Sequence, residues 1–514
     1  MAQFVANPRV TFNIVQSENR VGPDDQRTLI IGQIGAASTV VGGELVVDVP
    51  RSDAAINTLF DPGSMLAMIA RAYRSVNKTT NVDALPLSDA GESSAAMSAF
   101  SFSGTATADG TLYASIVSKA LHRYKIDVLT GDTAVSIVTK LVALTAADRY
   151  LPFTSVDDGS DCINTANNTG THANDWHIQI EGNVPGITCS ISGWSGGATD
   201  PALTTLFDPI ETLRYQTVIW PARYDITKIK SLLNARKNVD NNIMDGMAFT
   251  YRNVSFSTIK TLANATNSSE VLVMTNEPNS LTYHKGPHIP EAPDVIAAKI
   301  AAALDLRFEP DVSISNVVVT NAPNDQFGGI HTASLPAFNT PVLDVETPQK
   351  GTGYTLQEQA ELEAAGVSVI GVNRQWNQVI TGVMVTTWLN DAAGNLDNTW
   401  KFLEWRRTHG MIREYFQRNC QKEFRQHRLT PGTSVAGYAM VDEPGIRSFL
   451  SLLYQELTQS ALTVAGLEAR KYFEANLSVQ LIPGRRQAKV AAKCPMVSQL
   501  GEIIGSIEYT FETV

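Results

Sequence analysis

Cysteine is scarce in this chain: its 514 residues include only Cys162, Cys189, Cys420 and Cys494. These cysteines stand far apart and no CxxC motif occurs, so their spacing predicts neither a disulfide framework nor a zinc site. Long apolar runs are also missing, since no stretch approaches the ~18 residues that a membrane-spanning helix needs. The first residues lack the basic start and apolar stretch of a secretory signal. We therefore expect a protein without a membrane segment that folds in a cytoplasm.

Positive charge is in deficit. The chain has 40 Lys and Arg residues against 51 Asp and Glu, a formal net charge of -11. Because an acidic surface repels nucleic acid, no nucleic-acid partner is expected, and any basic site must be local. A length of 514 residues exceeds the ~250–300 that one core accommodates, so three or four modules are expected.

Catalytic motifs are missing as well. No GxSxG and no GxxxxGK[ST] sequence occurs, and Gly351-Thr-Gly353 lacks the third glycine of a dinucleotide-binding loop. His284 and His288 have a spacing that suits a metal on a helix, but the glycine and prolines around them forbid a helix. We therefore predict no catalytic, cofactor-binding or metal-binding residues, and no enzyme.

The two ends of the chain both alternate between apolar and polar residues. The apolar positions are Val10, Phe12 and Ile14 at one end and Ile507, Tyr509 and Phe511 at the other. Period-two alternation is typical of a strand with one apolar face, and an unpaired strand edge is a template for another chain. The pattern favours copies that join by strand exchange. The alternative, in which both strands pair within their own chain, stays open.

Between these ends, composition and periodicity divide the chain into segments. Alternating apolar and polar residues and helical spacings predict an α/β region, with strands at Thr28–Ile31 and Leu45–Val47 and helical signals from Ser52 to Arg74. A stretch rich in Ser, Thr and Gly interrupts it and indicates a β-rich insertion. A capping box at Thr355 then opens a further module, whose first helix is expected to end at Gly366. The predicted domains are an extended arm at 1–25, an α/β domain at 26–96 plus 205–350, the inserted domain at 97–204, an α+β carboxy-terminal domain at 351–498 and a strand arm at 499–514.

The carboxy-terminal domain contains the clearest local excess of positive charge. After a predicted strand over Val379–Leu389, a long helix is expected over about Thr399–Arg428; it carries eight Lys and Arg against three Glu, an excess of five. Ile412 and Cys420 belong to an apolar stripe at four-residue spacing that faces a core. The cations on the other face are compatible with a solvated surface, with nucleic-acid binding, or with docking on an acidic protein surface. The residues that we expect to point outward are Arg406, Arg413, Arg418, Lys422 and Arg425.

Several stretches, taken in order, resemble the tail sheath proteins of contractile bacteriophages, particularly the Mu-like branch. They are Phe60–Met68, Val82–Leu87, Phe102–Leu112, Val383–Asp397 with the long helix after it, Gly466–Glu468 and Pro495–Leu500. The family often has an acidic-Pro-Asn-Arg turn before its penultimate strand. Here Ile482-Pro-Gly-Arg485-Arg486 stands at that place, so the local turn geometry is expected to differ.

The resemblance implies a structural subunit that polymerises as stacked hexameric rings around an inner tail tube and contracts to drive the tube through the host envelope. It also implies a subtilisin-like, non-catalytic α/β region, and terminal strands that complete a sheet in neighbouring subunits. The implied partners are further copies of the chain, the tube protein, and baseplate and tail terminator proteins, with no cofactor, and the implied location is the virion tail, assembled in the host cytoplasm. The outward helix would then face the tube. A sheath of a related non-phage injector, another structural phage protein and a hydrolase remain the alternatives.

Overall fold

The computed structural model describes residues 27–496, apart from 149, 204–206, 211–212, 238–245, 277–288, 309–336, 338–339, 349–353, 374–377, 436–437, 460–463, 465 and 483–486. The described residues form two compact units. One contains 27–308 and 337–406, and the other contains 407–496. We call them the α/β unit and the carboxy-terminal unit. The mixed α/β, multidomain architecture predicted from the sequence is confirmed.

The strands, in chain order, are β1 (Arg27–Gln33), β2 (Asn81–Leu87), β3 (Met97–Gly104), β4 (Gly110–Val128), β5 (Phe153–Asp158), β6 (Asp161–Ala166), β7 (His177–Glu181), β8 (Ile187–Ser195), β9 (Thr217–Ile219), β10 (Met247–Tyr251), β11 (Val271–Thr275), β12 (Val367–Asn373), β13 (Gln378–Thr381), β14 (Arg428–Leu429), β15 (Met440–Val441), β16 (Ser478–Ile482) and β17 (Gln487–Ala491). The helices are α1 (Asp53–Phe60), α2 (Met65–Val76), α3 (Ala134–Ala146), α4 (Ile226–Lys237), α5 (Phe256–Thr266), α6 (Pro293–Phe308), α7 (Leu356–Ala364), α8 (Leu403–Phe424), α9 (Glu443–Gln459) and α10 (Leu467–Ala475).

A seven-stranded sheet forms the centre of the α/β unit. Its spatial order is β13-β12-β11-β10-β9-β1-β2, and every neighbouring pair is parallel except β12 with β13. Leu29 and Ile31 of β1 pack on one face with Ile259 of α5. Thr28, on the other face, bonds to Tyr73 of α2 and Asp305 of α6. Helices therefore cover both faces, which explains why these strands are nearly continuous apolar runs.

The β-rich segment between β2 and β9 has its own core. An antiparallel sheet with the order β5-β6-β3-β8 lies beside the pair β4–β7 and the helix α3. A chain of edge-to-face rings runs through this core from His122 to Phe153, Trp194, Trp176 and His172, with ring centroids 5.1 to 6.3 Å apart. Edge-to-face contacts suit the ring quadrupoles. All five rings are buried.

The carboxy-terminal unit is built from helices and two small sheets. α8, α9 and α10 enclose a stack in which Phe473 lies 4.4 Å from Tyr454 and 6.2 Å from Phe416, measured between ring centroids. β14 pairs with β15 in parallel, and β16 pairs with β17 in antiparallel register from Ser478↔Ala491 to Ile482↔Gln487.

Local signals in the sequence predict several of these elements correctly. Thr355 forms the expected capping box with Glu358, and Gly366 has the positive φ of 78° expected of a glycine that ends a helix. Ser52 and Ser64 cap two separate helices, because the segment Asp61–Gly63 breaks the predicted helical stretch. α8 is shorter than predicted at both ends.

One predicted strand is absent and another is shorter than predicted. Leu45–Val47 contributes only one isolated bridge, from Val46 to Ala84. Of Val379–Leu389, only the first residues continue the ladder of β13. The backbone of Thr386 bonds instead to Lys401, and the backbone of Thr387 bonds to Val271. Tertiary partners therefore displace the extended pairing that the apolar pattern favours.

Candidate functional site

The sheet formed by β16 and β17 is the feature of the carboxy-terminal unit most suited to assembly. Val479 of β16 is buried, and Leu477 before it is 2% exposed. β17 lies at the surface: Lys489 and Ala491 are exposed and Val490 is 47% exposed. One strand therefore belongs to the core of the unit, while its partner presents backbone and side chains to the outside.

This sheet is smaller than a stable sheet usually is. Within the part of the chain that the structure describes, β16 and β17 pair with each other and with no third strand. A two-stranded sheet is marginal in water, and its outer edges present backbone N–H and C=O groups that can extend the ladder. Strands supplied by another chain could occupy these edges.

The predicted strand arms cannot be placed on this sheet. Val10, Phe12, Ile14, Ile507, Tyr509 and Phe511 all lie outside the described residues. Strand exchange therefore stays a prediction.

The helix α8 turns its apolar stripe inward as predicted. Ile412 and Cys420 are buried, with Phe416 and Tyr415 packed around the same cluster. Lys422 near the end of the helix and Arg425 just after it are exposed. Arg413 and Arg418 are half-buried.

Arg406 does not face outward, and this part of the prediction requires correction. Its side chain is 1% exposed and pairs with Glu270, which is also 1% exposed. The two residues are separated by 136 positions in sequence. An arginine on the apparent polar face of an isolated helix is buried here because the loop before β11 supplies a carboxylate. The outward set is reduced to Arg413, Arg418, Lys422 and Arg425.

The crevice where parallel α/β sheets commonly bind ligands is filled by the chain itself. That position lies at the carboxyl ends of β1 and β9, where the strand order reverses. There Gln33 is buried and donates to the carboxylate of Asp89 at 2.6 Å and to the carbonyl of Thr169 at 2.7 Å. Arg223, which follows β9, forms a bidentate ion pair with Asp175 of the β-rich insertion. Residues of the insertion therefore bond to side chains at the carboxyl ends of β1 and β9.

Burial also shifts the pKa values of several histidine, aspartate and cysteine side chains in both units. It lowers the pKa of His122 and of His172 to about 4, and it raises the pKa of Asp294 to about 7. It likewise raises the pKa of Cys162, Cys189, Cys420 and Cys494 to about 12. Thiols with such pKa values are poor nucleophiles at neutral pH.

Across the described residues no group of three or more His, Cys, Asp or Glu is arranged to hold a metal ion. Within the same ranges, no helix combines the length and apolar character needed to cross a membrane.

Comparison with known proteins gives one extended sequence relationship. The chain is 25% identical over 446 residues to the Mu-like prophage FluMu tail sheath protein of Haemophilus influenzae, which covers 85% of this chain and 83% of the relative. No protein-family model matches the chain. The resemblance to Mu-like tail sheath proteins inferred from sequence motifs is confirmed.

Three solved structures are also similar to this chain, at lower sequence identity. The sheath tail protein of Desulfitobacterium hafniense superposes with a TM-score of 0.46 at 11% identity, covering 95% of this chain and 100% of that one. The sheath tail protein of Listeria innocua gives 0.47 at 10% identity, covering 93% of each chain. A chain of the anti-feeding prophage baseplate gives 0.45 at 11% identity, covering 98% of this chain and 99% of that one.

Proposed function

We propose that this chain is the structural subunit of a contractile phage tail sheath. One observation carries the proposal: a relative named as a tail sheath protein matches 85% of this chain and 83% of its own length. A match along nearly the whole of both chains supports a shared role for the complete subunit rather than one common module. In this proposal the subunits form hexameric rings, stacked helically around an inner tail tube between a baseplate and a tail terminator, in the virion.

The subunits are linked by exchanged strands in this proposal. The amino- and carboxy-terminal arms of neighbours add to the edges of the sheet β16–β17. Each added backbone hydrogen bond contributes ~0.5–1.5 kcal/mol net, and each buried side chain such as Phe12 or Tyr509 adds roughly 1.5–3 kcal/mol. Several such contributions hold a subunit to its neighbours while its body rotates. Contraction then needs two packings separated by a barrier, and no nucleotide.

The exposed end of α8 contacts the inner tube in this proposal. Lys422 and Arg425 are exposed cations on a chain of net charge -11. Charged contacts suit a surface that must release during contraction, because their separation uncovers little apolar area. The predicted domain boundaries and the subtilisin-like character of the α/β region belong to the same proposal.

Electron microscopy of two matched triple variants tests the sheath and strand-exchange proposals. One variant removes the apolar face of the carboxy-terminal arm: Ile507→Ser, Tyr509→Ser and Phe511→Ser. The control changes the polar face of the same arm: Glu508→Ser, Thr510→Ser and Glu512→Ser. We expect the wild type and the control to polymerise into long, wide tubes, and the apolar-face variant to remain unassembled with an unchanged melting temperature. Failure of the wild type to polymerise would overturn the sheath proposal. Tubes from the apolar-face variant would overturn strand exchange alone.

Charge reversal tests the contact between α8 and the tube. Lys422→Glu with Arg425→Glu should reduce co-sedimentation of sheath with tube and leave self-assembly intact. Arg447→Glu with Lys471→Glu, which changes two cations on other helices of the same unit, is the control. Equal co-sedimentation of both variants, with no effect of salt, would contradict the contact.

A further inference from the structure

The first turn of α8 is tied into the α/β unit by buried charged groups. The Nη2 atom of Arg406 lies 3.3 Å from Oε1 of Glu270, and both side chains are 1% exposed. Two residues earlier in the helix, Oε1 of Glu404 accepts a hydrogen bond from the backbone N–H of Ala337 at 2.6 Å. The start of α8 is therefore held by two different segments of the same unit.

Glu270 is itself held firmly. Its carboxylate accepts hydrogen bonds from the hydroxyls of Ser269 at 2.5 Å and Ser268 at 3.1 Å. Ser268 is in turn fixed by Thr387, whose Oγ1 accepts from the Ser268 N–H at 3.0 Å. On the other side, the Arg406 guanidinium lies 5.6 Å from the ring centre of Trp400. These contacts therefore fix the positions of both charged groups of the ion pair.

Such a pair is a poor means of adding stability. Removing two charges from water is costly, and apolar side chains of similar volume in the same place are often at least as stabilising. A buried pair does discriminate strongly between alternative packings. Sliding α8 by one turn, about 5.4 Å, would separate the charges and leave both buried without each other. An apolar contact would tolerate the same shift at much lower cost.

We propose that the Arg406–Glu270 pair is a register lock, which sets the axial position and rotation of the start of α8 against the α/β unit. The lock itself is independent of what the protein assembles into. Its consequence for tubes rests on the proposed function.

Replacing both Arg406 and Glu270 by apolar residues tests whether the pair fixes the position of α8 without adding to the stability of the protein. The test variant is Arg406→Met with Glu270→Leu, and the matched control is Lys299→Met with Glu291→Leu. The control removes another buried ion pair of the same unit, 2.7 Å long, with side chains 9% and 4% exposed. We expect the melting temperature of the test variant to stay within ~4 °C of the wild type. The single variant Arg406→Met should melt roughly 10 °C lower, because it removes one partner of a buried ion pair and keeps the other.

Hydrogen exchange followed by mass spectrometry reports how firmly the start of α8 is held. In the test variant the backbone amides of 403–410 should exchange ~10-fold faster than in the wild type, while those of β10 and β11 stay unchanged. The control should leave 403–410 unaffected. Unchanged exchange at 403–410, or a melting temperature of the double variant as low as that of the single, would overturn the lock.

Tube morphology supplies an independent reading. The test variant should give tubes with a wide spread of diameters, while the wild type and the control each give one narrow distribution. Equally narrow tubes from the test variant would also overturn the lock. If the wild type forms no tubes at all, the proposed function fails. The hydrogen-exchange experiment at residues 403–410 still tests the register lock.

Discussion

Acid should weaken the α/β unit in a manner set by three buried groups. Burial lowers the pKa of His122 and His172 from 6.5 to about 4, and it raises the pKa of Asp294 from 3.8 to about 7. A histidine with a lowered folded pKa stabilises the fold above its unfolded pKa and loses this contribution as pH falls from 6.5 to 4. An aspartate with a raised folded pKa behaves in the opposite way, since its protonated form is favoured in the folded state.

The size of this pH dependence follows from the number of protons that the folded and unfolded states bind at the three groups. Between pH 4 and 6.5 the unfolded chain binds two protons at these sites, both on histidines, and the folded chain binds one, on Asp294. The difference of one proton gives a slope of about 1.4 kcal/mol per pH unit in the free energy of unfolding. Through these three groups, acidification across this window should lower the free energy of unfolding by about 3 kcal/mol.

Urea unfolding at a series of pH values checks this slope. Trp176 is a suitable fluorescent probe, because its ring centroid lies 5.4 Å from that of His172. Relative to the wild type, His172→Gln should lower the slope by about 1.4 kcal/mol per pH unit, and Asp294→Asn should raise it by about the same amount. Using differences between variants cancels the contribution of all other titrating groups. Equal slopes for the wild type and both variants would refute the assigned protonation states.

Three further changes test the packing of other elements. Phe473→Ala, which removes a fully buried ring stacked on Tyr454, should cost the carboxy-terminal unit ~3–5 kcal/mol in urea unfolding, and Phe473→Leu should cost less. Thr355→Ala should lower stability by ~1 kcal/mol in the same assay, because it removes the cap of α7; restoration by Thr355→Ser is the matching control. Gly366→Ala should lower the melting temperature more than either cap variant, because a Cβ there would lie 2.9 Å from the Cα of Thr387 on a backbone with φ of 78°.

Local chemistry explains which features of the fold are predictable from the sequence. The cap at Thr355 and the terminating glycine at Gly366 depend on residues within one or two turns, and both predictions are confirmed. The apolar stripe of α8 is equally local, since Ile412 and Cys420 follow from helical periodicity alone. Such features need no knowledge of the rest of the chain.

Features that depend on distant partners could not be predicted in this way. Arg406 has the appearance of a surface cation until Glu270, 136 positions earlier, is brought beside it. Thr386 and Thr387 continue a strand-like sequence, yet their backbone groups bond to other loops. The ring chain of the insertion was also missed. The closely spaced His172 and Trp176 are its best sequence signal.

The insertion between β2 and β9 limits how this subunit can be re-engineered. Asp175 pairs with Arg223, and the carbonyl of Thr169 accepts a hydrogen bond from Gln33, so excising the insertion would remove one partner from each of these two side chains of the α/β unit. A cargo peptide is better carried at the exposed tip between β5 and β6, where Gly159 already turns the chain with a φ of 72°. A protein that carries a peptide there would keep the contacts of the insertion with Arg223 and Gln33 while it displays a foreign sequence.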